Sequence, residues 1–144
     1  MIRINRQTDY AVRVILALAK RGSGARLSSK TIQQEMLIPP ALMMRVVAHL
    51  SKSEIIKTFP GREGGLMLSR AASKITLKDI VEAFEGPVFL SQCMKPNCED
   101  DCPFQADCPV RSKWGRAQAA MLRELAMIDF DRLSQETVED PLVA

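Results

Sequence analysis

All four cysteines of the chain lie within one stretch of sixteen residues, from Cys93 to Cys108. The gaps between them are four, three and five residues, which is too tight for two hairpin knuckles and too loose for a redox Cys-x-x-Cys pair. Proline follows Cys102 and Cys108, and acidic residues crowd between the thiols. The pattern predicts a metal-binding loop, with an iron–sulfur cluster as the preferred occupant.

The rest of the composition is that of an ordinary globular protein. The chain has 144 residues, 47% of them hydrophobic and 26% charged, which suits one or two small domains. No secretory signal is visible, and no run approaches the roughly 20 apolar residues of a membrane helix. We therefore expect a cytoplasmic protein without a membrane partner, in a compartment where clustered cysteines more often bind metal than form disulfides.

Charge is divided unevenly along the chain. Residues 1–72 carry a net charge of +8, whereas residues 73–144 carry −5. A basic first half joined to an acidic second half favours a phosphate-binding domain attached to a segment of different function. A chance imbalance between solvated faces would give the same net charges.

Apolar spacing predicts three helices in the basic half. The first runs from Thr8 to Arg21, with Thr8 or Asn5 as its cap. A short second helix is capped by Ser28 or Ser29, and a third begins at Pro40 and runs to about Lys52. The short second and third helices, separated by a tight turn, make a helix-turn-helix pattern.

A β-hairpin is predicted directly after the third helix. The β-branched and aromatic run 55–59 is followed by a glycine-rich turn at 60–65 and a second apolar run at 66–69. A helix-turn-helix followed by such a hairpin is typical of a winged helix.

The acidic half is predicted to contain two further helices and a short third. Thr76 and Asp79 form a capping-box pattern that opens a helix ended by Gly86-Pro87. The longest helix begins at Pro109 and ends near Met127, and a short helix is expected over 128–133. An apolar stripe on the longest helix suits pairing with a second copy of the chain: Val110, Trp114, Ala117, Met121 and Leu125.

Three stretches resemble the Rrf-type family of bacterial regulators, which includes the IscR-like and NsrR-like proteins. They are 8–13 at the first helix, 61–66 at the wing tip, and 75–87 followed by the cysteines and Trp114. The resemblance covers about residues 1–133 and implies a homodimeric winged-helix protein that binds operator DNA under the control of a cluster.

The expected fold class is therefore mainly α with a small β-hairpin wing: a winged helix-turn-helix domain plus a long C-terminal dimerisation helix. Residues 1–86 would form the DNA-binding domain with its linker helix, and 87–108 the cysteine loop. Residues 109–134 would hold the dimerisation helix and the short final helix, and 135–144 a flexible tail.

DNA contacts are expected from the exposed side of the third helix, from the wing and from nearby cations, because base edges are read by side chains of the recognition helix while cations hold phosphates. Arg45 could pair with guanine, Met44 could contact only a thymine methyl group, and Arg62 stands at the wing tip. Glu63 at the same tip would weaken phosphate binding. The candidate residues are Lys30, Ala41, Met44, Arg45, His49, Lys52, Lys57 and Arg62.

Cys108 is predicted at the N-cap of the longest helix, where the helix dipole favours a thiolate. Aligned from Trp114 backward, Cys108 and Cys102 fall on two of the cysteines that the family uses as ligands. The third would be Cys98, whose spacing is closer to that of the family, or Cys93, which is also within reach. Arg111 stands where the IscR-like members have a histidine ligand. The resemblance to the NsrR-like members implies that Asp9 of the other subunit serves instead, so the ligands are four cysteines or three cysteines with Asp9.

Other occupants remain open for the cysteine loop. The cluster could be of the 2Fe–2S or 4Fe–4S type. Zinc or bare redox-sensing thiols are the alternatives, and zinc would also suit a protein-interaction module without DNA binding. No nucleophile–base pair or phosphate loop is present, so neither an enzyme nor a small-molecule substrate is expected.

Overall fold

The computed structural model describes residues 3–96 and 102–136. Within these ranges the chain forms six α-helices and one two-stranded antiparallel hairpin, which confirms the expected fold class. The elements are α1 (Arg6–Lys20), α2 (Ser29–Glu35), α3 (Pro40–Lys52), β1 (Ile56–Phe59), β2 (Gly65–Leu68), α4 (Leu77–Glu85), α5 (Pro109–Met127) and α6 (Phe130–Gln135).

Helix α1 is the centre of the core. Asn5 caps it by accepting a hydrogen bond from the Thr8 N–H at 2.9 Å. Its apolar positions recur at helical spacing and are fully buried, as at Val14 and Ile15, because α2, α3, α4 and α6 all pack around this helix.

Helices α2 and α3 pack on α1 as a helix-turn-helix unit. Ser28 caps α2, and α3 begins at Pro40, whose missing N–H is harmless in a first turn. Ile32 of α2 and Val46 and Leu50 of α3 are fully buried. These contacts fix α3 with its opposite face towards solvent.

The wing is anchored to the start of the helix-turn-helix. Phe59 pairs with Gly65 and Ile56 with Leu68, while Leu66 and Leu27 exchange two backbone hydrogen bonds, of 2.7 and 3.1 Å. Gly65 has φ +142°, and a Cβ there would lie 2.6 Å from the Leu27 carbonyl oxygen. Only glycine permits this close approach, so the glycine-rich tip sets the wing against the helical unit.

Helix α4 opens with the expected capping box, in which Thr76 and Asp79 each bond the other's backbone N–H. Helix α5 then ends beside the start of α4, where the Leu77 N–H donates to the Ile128 carbonyl at 2.9 Å. Phe130 of α6 is completely buried in the α1 core. The contacts thus join α6 to the winged-helix domain, whereas sequence spacing grouped it with the longest helix.

Helix α5 lies mostly outside this core. It contacts α4, but none of its residues is buried by the part of the chain that the structure describes. A helix of 19 residues is about 28 Å long and α4 with 9 is about 14 Å. Because the carboxyl end of α5 is hydrogen-bonded to Leu77 at the start of α4, the first half of the longer helix α5 extends beyond α4. No helix of the described residues is long and apolar enough to cross a membrane.

Candidate nucleic-acid interface and cysteine loop

The solvent-facing side of α3 carries a mixed apolar and basic surface. Ala41, Met44, Arg45 and Lys52 are exposed, and Met44 is 78% exposed despite its apolar side chain. Met43, one residue earlier, is buried in the core. The arrangement leaves Arg45 free to hydrogen-bond a base edge and Met44 free to meet an apolar group.

Three further exposed cations lie on the elements next to α3 in the chain. Lys30 lies on α2, Lys57 on β1 and Arg62 at the wing tip, and all three are exposed. The ion pairs among residues 3–96 and 102–136 use other cations: Arg13, Arg21, Arg70 and Lys78. The cations near α3 thus remain available to phosphate groups.

Arg26 lies beside the wing and was not predicted from the sequence. Its guanidinium carbon lies 3.7 Å from the centre of the Phe59 ring, so a cation–π contact holds it beside the wing. The sequence around Arg26 gives no local signal of this contact, because Phe59 follows Arg26 by 33 residues.

His49 is half-buried at the border of the exposed face of α3 and packs against α4. Its Nε2 lies 2.7 Å from the Ala83 carbonyl oxygen, and its ring stacks on Phe84 with centroids 4.2 Å apart. Because His49 lies at the border of the apolar arc of α3, its ring could point towards solvent or towards the protein. In the structure the ring packs against α4.

The structure describes three of the four thiols. Cys93, Cys102 and Cys108 are all free, Cys102 is exposed, and the other two are half-buried. Cys98 lies outside the described residues. Cys108 is the N-cap of α5, as expected, and its side chain makes no capping hydrogen bond. Its sulfur is therefore not committed to the helix.

Cys93 is fixed relative to the same helix. It lies in a single 3₁₀ turn, Gln92–Met94, that contacts α5. The Leu90 N–H donates to Gln118 Oε1 at 3.0 Å, and the Met94 methyl group lies close to Gly115. Cys93 and Cys108 are thus both attached to the first half of α5.

Asp9 lies in the first turn of α1 and is about half exposed. Its carboxylate pairs with Arg13 of the next turn at 2.8 Å. An exposed pair of this spacing contributes only about 0.3–0.5 kcal/mol, so Asp9 could exchange it for another partner.

The thiols of the cysteine loop and the Asp9 carboxylate are suitable ligands for iron or zinc, but the described residues do not form a metal site. Free thiols with an exposed carboxylate are ligands that iron and zinc accept. Among the residues that the structure describes, no three of His, Cys, Asp and Glu lie close enough together to hold an ion. The expected ligand set therefore stays a prediction for the cysteine loop, residues 87–108.

Comparison with known proteins matches nearly the whole chain. Residues 4–136 match the Rrf2 family model, described as "Iron-dependent Transcriptional regulator". The chain is 31% identical to protein rrf2 of Nitratidesulfovibrio vulgaris over 125 residues, covering 86% of this chain and 81% of that protein. It is 26% identical to the HTH-type transcriptional regulator NsrR of Bacillus licheniformis, over 96% and 91% of the two chains.

Among solved structures, CymR, the global cysteine regulator of B. subtilis, superposes with a TM-score of 0.76 at 25% identity. The match covers 95% of this chain and 99% of that one. Family and neighbours are transcriptional regulators and not enzymes, as the missing catalytic motifs led us to expect. The chain belongs to the Rrf2 family of winged-helix, DNA-binding transcriptional regulators.

Proposed function

We propose that this regulator works as a homodimer and that an iron–sulfur cluster held by the cysteine loop sets its affinity for operator DNA. One observation carries the proposal: Cys93 and Cys108 are both attached to the first half of α5, a helix whose apolar stripe the chain itself leaves unburied. A ligand bound between them would act on the segment that joins the DNA-binding domain to the dimer helix.

The proposed ligands are Cys93, Cys102 and Cys108, with Asp9 of the second subunit as the fourth. Cys98 is the alternative to Cys93, and it would also complete a set of four cysteines. Thiolates supply the electron-rich donors that iron–sulfur clusters require, and the cluster, when bound, supplies reversible electron transfer and reactivity towards small oxidants.

On the DNA, α3 would enter the major groove and Arg62 of the wing would reach the adjacent minor groove. Arg45 would read guanine, Met44 would contact a thymine methyl group, and exposed Ala41 would lie against the groove. Lys30, Lys52 and Lys57 would hold phosphates, with Arg26 as an added candidate. Binding of this kind weakens steeply with salt, because each phosphate contact releases a counterion.

A second candidate function is a thiol sensor without metal. The likeness to CymR, called a cysteine regulator, and the free, solvent-accessible Cys102 favour it. Zinc bound by the same thiols is a third occupant, distinguishable by metal analysis.

The proposal is tested by measuring the DNA affinity of one protein preparation with and without the cluster. Protein purified without oxygen is divided into a metal-free, reduced portion and a portion supplied with iron and sulfide. Both are titrated with a duplex enriched by the wild-type protein from a random-sequence pool. We expect the affinities to differ by about tenfold or more, within the usual range of allosteric coupling. Equal affinities would contradict cluster control, and a response to thiol oxidation alone would favour the CymR-like function.

A further inference from the structure

The Ala83 carbonyl in the last turn of α4 has no donor from within the helix. In an α-helix the Ala83 oxygen would accept from the N–H four residues later, but residue 87 is proline and has no N–H. The Gly86 N–H already donates to the Glu82 carbonyl at 3.0 Å. Ala83 therefore depends on a donor from outside the helix.

His49 of the recognition helix supplies that donor. Its Nε2 lies 2.7 Å from the Ala83 oxygen, and because a carbonyl can only accept, Nε2 carries the hydrogen. The ring also stacks on Phe84, with 21° between the planes. One side chain thus joins α3 to the carboxyl end of α4 through a directed hydrogen bond and an aromatic contact.

The same turn is attached to α1 on another side. Glu85 Oε1 accepts hydrogen bonds from the Asn5 N–H at 3.0 Å and from the Thr8 hydroxyl. Gly86 and Pro87 then lead directly into the cysteine loop, and Cys93 follows Ala83 by ten residues. The turn formed by residues 83–86 therefore lies between the recognition helix and the first thiol.

We propose that His49 is a positioning residue that transmits the state of the cysteine loop to the recognition helix. The inference rests on the proposed function, because it requires that the loop has two states. A displacement of the loop moves Pro87 and the last turn of α4, and the hydrogen bond from His49 carries that displacement to α3. Arg45 lies one helical turn before His49, so the shift is delivered to the base-reading face.

Three variants test the role of the hydrogen bond. His49→Phe keeps an aromatic ring against Phe84 and removes the donor, whereas His49→Gln keeps a side-chain N–H donor and removes the ring. Arg45→Ala is the matched control on the same helix, because it removes a base contact and leaves the link to α4 intact. For each, duplex affinity is measured in the metal-free and in the iron- and sulfide-supplied form, and the ratio of the two is compared.

The ratio is the duplex affinity of the tighter-binding form divided by that of the weaker-binding form. We expect this ratio to be at least about fivefold smaller in His49→Phe than in the wild type. His49→Gln keeps most of the wild-type ratio, and Arg45→Ala weakens both forms by the same factor. A wild-type ratio in His49→Phe would overturn the proposal. Equal loss in His49→Phe and His49→Gln would also overturn it, since packing and not the donor would then matter.

A measurement on the wild-type protein keeps the inference testable if His49→Phe does not fold. The chain has one histidine, so its ring N–H resonance is unambiguous in an NMR spectrum. We expect a slowly exchanging Nε2–H signal in one form and a shifted or rapidly exchanging one in the other. Identical signals in the two forms would overturn the role of His49, whereas equal DNA affinities of the wild-type forms would overturn the proposed function itself.

Discussion

Met44 is an exposed apolar side chain in the first half of α3, the proposed recognition helix. The thymine methyl group is the apolar feature of that groove, so we expect Met44 to favour thymine at one position of each half-site. Replacing that thymine by deoxyuridine removes one methyl group. Affinity should fall by about 0.8 kcal/mol, or about fourfold.

The control for this prediction is Met44→Ala, which should bind the thymine and deoxyuridine duplexes equally well. Titration of the two duplexes with both proteins measures the effect. A wild-type protein that does not distinguish the duplexes at any thymine of the enriched site would contradict the assignment of Met44.

Cys93 and Cys98 compete for one ligand position. Cys98 lies outside the described residues, whereas the 3₁₀ turn of Cys93 packs against the helix that Cys108 caps. We expect Cys93→Ala to lose the visible charge-transfer absorbance after anaerobic reconstitution with iron and sulfide. Cys98→Ala should retain it, as a matched removal of one thiol from the same loop. The reverse result would assign the position to Cys98, and loss in both variants would indicate four cysteine ligands.

At the scale of the elements, α5 is the helix that the described residues leave without buried side chains. Ala117 lies within its apolar stripe and is exposed in the single chain, whereas Ala119 lies about 160° away around the helix axis. Ala117→Glu should leave the fold intact and convert the dimer to monomer, because it would bury an unpaired charge between subunits. Ala119→Glu should remain dimeric.

Sedimentation equilibrium of the two glutamate variants measures this difference. A dimer in both variants would mean that another surface joins the subunits, and a monomer in both would mean that the helix tolerates no added charge.

Local signals predicted most elements well. Asn5, Ser28 and Thr76 are caps, Pro40 opens α3, and the glycines at the wing tip form the hairpin turn, because each acts on neighbouring backbone groups. The longest helix has the predicted ends, Pro109 and Met127.

Contacts between distant residues were not predictable in the same way. His49 meets Ala83 across 34 residues, and Glu85 meets Thr8 across 77. Phe130 joins the core of a domain that is far from it in sequence. No spacing rule predicts such contacts, so sequence reasoning did not foresee the contacts of His49 with α4, of Glu85 with α1 or of Arg26 with the wing.

At the scale of the whole molecule, the two halves of a cluster site should come from two subunits. A variant with Asp9→Ala and a variant with Cys108→Ala would each form dimers that bind no cluster. A mixed dimer should regain one site, because it contains an intact cysteine loop from one subunit and an intact Asp9 from the other.

Differently tagged variants, mixed, exchanged and purified by both tags, allow the mixed dimer to be tested by its visible absorbance. Full cluster binding in the pure Asp9→Ala dimer would show that Asp9 is no ligand. Absence of any cluster from the mixed dimer would place Asp9 and Cys108 in the same subunit's site.

We propose above that a dimer of this chain holds an iron–sulfur cluster in its cysteine loop. Native mass spectrometry of protein purified without oxygen and supplied with iron and sulfide tests this proposal, since one spectrum reports subunit number and bound atoms. We expect a mass of two chains plus iron and inorganic sulfide, with the added mass lost in Cys108→Ala. Two chains with zinc alone, or with no added mass, would contradict it.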